Sequence, residues 1–307
     1  MGIHVNSPGM LSTVQDLGRW GFQNLGVPVA GPMDRYSHRF ANALLGNPLG
    51  SATLEITLLG PELSFGLATR VAVTGAEFEL ALNEKLVPMN EPVVVAAGSR
   101  LCFGERRVGA RAYLAVEGGF DVPEVLGSRS THLPSQTGGM GGRALMTGDV
   151  LHSRSFDGEK PQPPRLRNSL LQLPSGGARI RVMLGPQERL FTPSGTKTFF
   201  TSRYVISNQS NRMGYRLDGP PISLAPSVGV LSDATPTGTI QVPGSGQPII
   251  LMADGQTTGG YPKLATAITA DLPLLGQLSP GDWVEFEVCD RAGALSALIT
   301  QEQTQLN

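Results

Sequence analysis

The chain has 307 residues, 40% of them hydrophobic, with 39 glycines, 24 prolines and only 16% charged residues. That apolar fraction supports a real core and excludes wholesale disorder, and the length allows two domains. The formal net charge of −1 implies no basic face, which argues against nucleic acid or an anionic membrane as partner.

Two widely separated cysteines, Cys102 and Cys289, make no disulfide framework. A reducing cytoplasmic setting is therefore expected. The N-terminus has no charged segment followed by an apolar one, so no signal peptide is expected, and no apolar run approaches transmembrane length.

In chain order, the first polar cluster is Thr13-Val14-Gln15-Asp16-Leu17-Gly18-Arg19. Asp16 and Arg19 either pair with each other or reach a ligand carboxylate through the guanidinium fork. Asp34 is placed to cap a helix with Tyr36, Phe40 and Leu44 on one face, stopped by Gly46-Asn47-Pro48. His38, beside Arg39 on that helix, reads as solvated.

Alternating β-branched and aromatic runs predict strands at Arg70–Val73, Glu77–Leu82, Ala112–Val116, Ile180–Leu184 and Trp283–Val288. Gly98-Ser99, Gly148-Asp149 and Gly281-Asp282 each place a turn ahead of a strand. Gly138-Gly139-Met140-Gly141-Gly142-Arg143 lacks the Gly-Lys-Ser/Thr ending of a phosphate loop and reads as a hairpin. The proline-rich polar segment at 156–175 predicts a linker between subdomains at 1–155 and 176–307.

Ser207-Asn208-Gln209-Ser210-Asn211-Arg212-Met213-Gly214-Tyr215-Arg216 predicts a turn that either exposes hydrogen-bond donors or bonds its own backbone. The most informative stretch follows the apolar run Pro248–Met252. It reads Asp254-Gly255-Gln256-Thr257-Thr258-Gly259-Gly260-Tyr261-Pro262-Lys263, and a helix is predicted from Pro262 through Leu264, Ala265, Ala267 and Ile268. A strand emptying into a glycine pair beside hydroxyls, an amide, a phenol and a lysine is suited to hold an oxyanion. The alternative is an ordinary turn with polar dressing. A last helix is predicted from Asp290, with Leu295, Leu298 and Ile299 on its apolar side.

Other chemistries find little support. His4, His38, His132 and His152 are isolated, so no metal site is expected. There is no Gly-x-Ser-x-Gly elbow, and the cysteines read as core or sheet residues.

Several segments occur in an order that resembles the allophanate hydrolase subunit 2 family, also called the biotin-dependent carboxyltransferase family. They are Gln15–Arg19, Leu54-Glu55-Ile56-Thr57, Tyr113–Gly119, Leu126–Thr131, Ser210–Leu217, Gln241-Val242-Pro243, Gly246–Ile249 and Gln256–Pro262. The resemblance runs from about Val5 to Val288. It implies a mainly β chain with a few helices, arranged as two cyclophilin-like β-barrel subdomains.

It also implies the C-type component of an ATP-dependent 5-oxoprolinase, inactive alone and working with a subunit 1-type (5-oxoprolinase B) partner and a 5-oxoprolinase A-type partner. ATP would be the complex's co-substrate. On that reading Gln256, Thr257, Thr258, Tyr261 and Lys263 are the catalytic candidates. Asn211, Arg212, Tyr215, Gly259 and Gly260 are binding candidates, with Gln15, Asp16 and Arg19 as a further set. Two alternatives are a carboxyltransferase acting on a urea-like amide, with biotin on a separate carrier, and a component of a histidine-kinase inhibitor. Ser232-Asp233-Ala234 departs from an expected Ser-Glu-Gly or Ser-His-Gly segment, keeping a carboxylate but losing the glycine.

Overall fold

The computed structural model describes residues 2–154, 171–226 and 230–306. Most of the predicted linker at 156–175 lies outside the described residues. The chain forms two compact units: residues 1–20, 30–173 and 304–307 in the first, and 21–29 and 174–303 in the second.

The first unit is a nine-stranded sheet with one long helix. Its strands are β1 (Ile3–Ser7), β2 (Leu11–Gln15), β3 (Thr53–Thr57), β4 (Glu62–Phe65), β5 (Thr69–Leu82), β6 (Lys85–Val87), β7 (Val93–Val95), β8 (Arg100–Val116) and β9 (Val150–Leu151). The path runs β2-β3-β8-β4-β1-β9, and β5 pairs with β6, β7 and β8. Two of the predicted strands, 70–73 and 77–82, are one strand here. Register shifts between Gly75 and Leu80 bend it without ending it.

Side-chain alternation places two cores on opposite faces of this sheet. Val71, Val73, Leu114 and Val116 face one core with Leu54, Ile56, Leu63 and Phe65. Ala72, Tyr113 and Ala115 face the other, under α1 (Arg35–Leu45), where Phe40, Ala41, Leu44 and Leu45 pack. The small alanines let the helix approach closely. Asp34 caps α1 as predicted, its carboxylate accepting from the Ser37 N–H at 2.9 Å.

His38 is not solvated: it is 0% exposed and its Nδ1 lies 2.8 Å from Thr53 Oγ1. Nine of the eleven residues of α1 are buried, so the helix has little outer face. The expectation failed because it treated a charged neighbour, Arg39, as marking the face of His38.

The second unit is a closed seven-stranded barrel. Its strands are β10 (Gly177–Leu184), β11 (Tyr204–Ile206), β12 (Gly214–Asp218), β14 (Thr239–Gln241), β15 (Ile249–Leu251), β17 (Lys263–Ala267) and β18 (Trp283–Val288). Around the barrel they run β10-β17-β14-β15-β12-β11-β18, closed by the parallel pairing of β10 with β18 from Gly177–Trp283 to Val182–Val288. A separate two-stranded ribbon joins β13 (Asp233–Ala234) to β16 (Thr258–Gly259). Ile180, Val182, Tyr204, Leu217, Ile240, Ile250, Leu264 and Val284 are fully buried in this unit.

The helix α2 (Pro193–Thr201), unforeseen in the sequence, is capped by Thr192 with proline in its first turn. Its Phe199 stacks on Phe286 with ring centroids 4.4 Å apart. The short helix α3 (Leu272–Gly276) follows β17, and α4 (Arg291–Leu306) is the predicted last helix, with Asp290 accepting from the Gly293 N–H.

A second prediction is overturned. Residues 263–267 are the barrel strand β17, not a helix, so the polar segment at 254–263 joins strand to strand and has no helix dipole behind it. A closed barrel buries both faces of a short strand, and the resulting apolar run Leu264-Ala265-Thr266-Ala267 matches either period.

Candidate functional site

The polar segment leaves β15, adds β16 against β13, and re-enters the barrel as β17. Two antiparallel registers bring its residues together: Asp233 lies opposite Gly259, and Gln241 lies opposite Lys263 across a bulge in β14. Thr235 fixes the loop, its hydroxyl donating to the Gln256 carbonyl at 2.6 Å and its N–H to the Thr257 carbonyl at 3.0 Å. A cleft of about 210 Å³ opens there, lined by Gln209, Asn211, Arg216, Gln241, Gln256 and Tyr261 together with Met213, Gly214, Ile249 and Leu251.

Lys263 is 2% exposed, and its Nζ donates to Asp233 Oδ2 at 3.1 Å. That contact holds the Asp233 carboxyl below the usual carboxylate range. The departure from the family's expected segment therefore keeps a carboxylate that meets the buried lysine. Gln241 is 1% exposed and its Nε2 has no hydrogen-bond partner among the described residues. Gly259 is bare for a steric reason: a Cβ there would lie 2.5 Å from Gln241 Nε2 and 2.9 Å from Gln256 Nε2. Two carboxamide nitrogens thus converge on the space above one glycine.

Of the sequence candidates, Asn211, Gln256 and Tyr261 line this cleft, and Gly259 and Lys263 stand beside it. Thr258 and Gly260 are exposed on the same loop, and Thr257 is half-buried with its carbonyl bonded to Thr235. Arg212 is not among the residues that line this cleft. It is 4% exposed and forms a two-bond ion pair with Asp254, Nε–Oδ2 and Nη2–Oδ1 both at 2.9 Å. With the Asp254 N–H donating to the Arg212 carbonyl, this clips the 211–214 turn to the start of the polar segment. Tyr215 points into the barrel core, its hydroxyl donating to the Leu278 carbonyl at 3.2 Å.

Sequence reasoning missed three polar lining residues. Gln209 and Arg216 were inside the quoted turn, and Gln241 inside a quoted motif, but none was singled out. An exposed Arg on β12 and a Gln in a buried strand carry no local signal. The signal for Gln241 is the glycine it faces, which is visible only in three dimensions.

Gln15, Asp16 and Arg19 belong to the first unit. Asp16 takes its hydrogen bonds from groups other than Arg19. The Asp16 carboxylate accepts from the hydroxyls of Ser128 and Ser130, each at 2.6 Å, and from the N–H groups of Arg129 and Gly18. Burial pushes its pKa up, but these four donors outweigh burial and leave it lowered. Arg19 donates to the Ser130 carbonyl, and Gln15 to the Thr131 carbonyl and Thr13. This network ties the end of β2 to the 125–131 loop. Arg143, at the end of the glycine-rich segment, is paired with Asp149 at 2.7 and 2.8 Å. Among the described residues no group of three or more potential metal ligands occurs, and no helix is long and apolar enough to cross a membrane.

A barrel unit and a curled sheet unit carrying this polar segment match a known class, the carboxyltransferase domains. The family model for the carboxyltransferase domain, subdomain A and B, matches residues 25–288, and the chain belongs to that family. It is 39% identical to the C-type subunit of 5-oxoprolinase from Escherichia coli over 96% of this chain and 94% of that protein. It is 38% identical to the urea amidolyase of Lachancea kluyveri over 92% of this chain but only 16% of that protein. The crystal structure of the K. lactis urea amidolyase superimposes with a TM-score of 0.94 at 36% identity, over 99% of this chain and 20% of that one.

Proposed function

We propose that this chain is the C-type subunit of an ATP-dependent 5-oxoprolinase, opening 5-oxo-L-proline to L-glutamate in a cytoplasmic complex with subunit 1-type (B) and A-type partners. The observation that carries this reading is the 39% identity shared with the E. coli C-type subunit along 94% of that protein.

In lactam hydrolysis the oxygen of water adds to the ring carbonyl carbon, the ring C–N bond breaks, and the nitrogen leaves with a proton as an amine. The site's task is to hold the lactam and stabilise charge on its carbonyl oxygen. Lys263 supplies a buried cation held by Asp233, Gln256 supplies an amide, and Thr257, Thr258 and Tyr261 supply hydroxyls on the same loop. Arg216, lining the cleft, offers a guanidinium fork for the substrate carboxylate.

We assign ATP, the co-substrate that drives the reaction, to the partner subunits.

The test is Lys263→Met in the reconstituted complex. Asp233 is 60% exposed, so removing its partner leaves a solvated carboxylate and an intact fold. The expected result is kcat lowered on the order of 100-fold at unchanged thermal stability. Unchanged kcat would make Lys263 a structural residue.

A second reading is supported by the 0.94 TM-score to urea amidolyase: a carboxyltransferase that moves CO₂ from biotin on a separate carrier to a urea-like amide. Carboxybiotin-dependent transfer without glutamate release would select it.

A further inference from the structure

We infer that Gln241 and Gln256, converging over Gly259, form a docking cradle for an amide edge that carries C=O and N–H on one side, and that Gln241 makes the site selective for such an edge over a trans secondary amide. The inference rests on the reading of this cleft as the place where the amide substrate is held.

An open donor and the packing around it point to a ligand. Gln241 is 1% exposed, yet its Nε2 has no partner among the described residues. A buried amide left unpaired costs free energy, which a ligand's acceptor would recover. Gly259 carries no side chain because a Cβ there would lie only 2.5 Å from Gln241 Nε2 and 2.9 Å from Gln256 Nε2, so the two carboxamides close directly over its backbone. Its φ lies outside the left-handed region, so the backbone does not require glycine there. The requirement is space.

The chemistry of the carboxamide decides what fits. It carries an N–H donor and a C=O acceptor side by side in one plane. A cis-amide, held so by a small ring, presents its own C=O and N–H on one edge and pairs with a carboxamide through two parallel hydrogen bonds. A trans amide splays the two groups to opposite sides and offers only one. Turning the Gln241 amide end for end preserves the match, because donor and acceptor simply exchange. Gln256 Nε2 then supplies a second donor to the same carbonyl oxygen, where charge develops when that carbon is attacked.

Two ring types share this edge: a lactam and a cyclic ureide. Both are small enough for the cleft, and the experiment separates them. Binding to the complex is measured for 5-oxoproline, its N-methyl derivative and 2-imidazolidinone, with the wild type, Gln241→Leu and Gly259→Ala. The N-methyl compound keeps the carbonyl and loses the N–H, so wild-type affinity for it is expected to fall on the order of tenfold or more. Gln241→Leu should lower affinity for the parent ring and erase that discrimination. Gly259→Ala, which fills the cradle against the ends of two flexible side chains, should abolish binding in a protein that unfolds at an unchanged temperature.

Preference for 5-oxoproline supports the cradle together with the lactamase reading. Preference for 2-imidazolidinone, with the same Gln241 dependence, supports the cradle and overturns the 5-oxoprolinase reading in favour of the carboxyltransferase. Equal wild-type affinity for the parent and N-methyl rings overturns the cradle, and so does parent-ring binding unaffected by Gln241→Leu. The comparison of ligands on the wild type needs no variant to fold.

Discussion

At the scale of single residues, the buried polar groups divide into those already spent and those still open. Arg212 is spent. Its two bonds to Asp254 are inside the protein, and truncation to alanine leaves Asp254, 1% exposed, as an uncompensated charge. We expect Arg212→Ala to lower unfolding free energy by about 3–5 kcal/mol, measured by denaturant titration. A loss below about 1 kcal/mol would show that the pair is not the clip described. His38 is also spent, but on being neutral. Burial depresses its pKa from 6.5 to about 4, against the opposing pull of Asp16 and Glu55. The unfolded chain therefore takes up a proton near pH 6.5 that the folded chain refuses until about pH 4. His38 thus costs no stability above pH 6.5, and about 3 kcal/mol is lost as the pH falls from there to about 4. Unfolding free energies measured between pH 7 and pH 4 should show this slope, and His38→Gln should flatten it.

At the scale of elements, strong alternation made the long strands readable. Glu77–Leu82, Ala112–Val116, Ile180–Leu184 and Trp283–Val288 all fall within observed strands, because each has a face that needs burying. The first helix was equally readable from its Asp34 cap and Gly46 stop. Strand β17 was not, since a short strand buried on both faces loses the alternation that would identify it. The site was half legible. Its loop carries glycines and polar residues in sequence, but Gln241 enters from β14, and the registers that set it beside Lys263 and Gly259 are non-local. The glycine-rich segment at 138–142 teaches the same lesson in the first unit. Gly142 has φ +74°, and a Cβ there would come within 1.9 Å of the Gln136 backbone. Since backbone cannot swing aside, Gly142→Ala should destabilise the unit by more than about 1 kcal/mol. A thermal melt reads this directly, and a neutral substitution would mean the loop is free to rearrange.

At the scale of the whole molecule, the same fold occurs as a separate subunit in one group of relatives and as a small part of a much longer chain in another. It matches 94% of the E. coli 5-oxoprolinase C-type subunit and 16% of the L. kluyveri urea amidolyase. In both settings the relative's name denotes chemistry on an amide-like carbon. That is consistent with a cleft lined by four carboxamides, a guanidinium and a phenol. The most direct measurement is ATP-dependent glutamate release from 5-oxoproline by the chain co-purified with its subunit 1-type and A-type partners, with and without this chain. The account predicts release that vanishes when this chain is left out. Release that persists without it, or none from the folded three-part complex, would contradict the account.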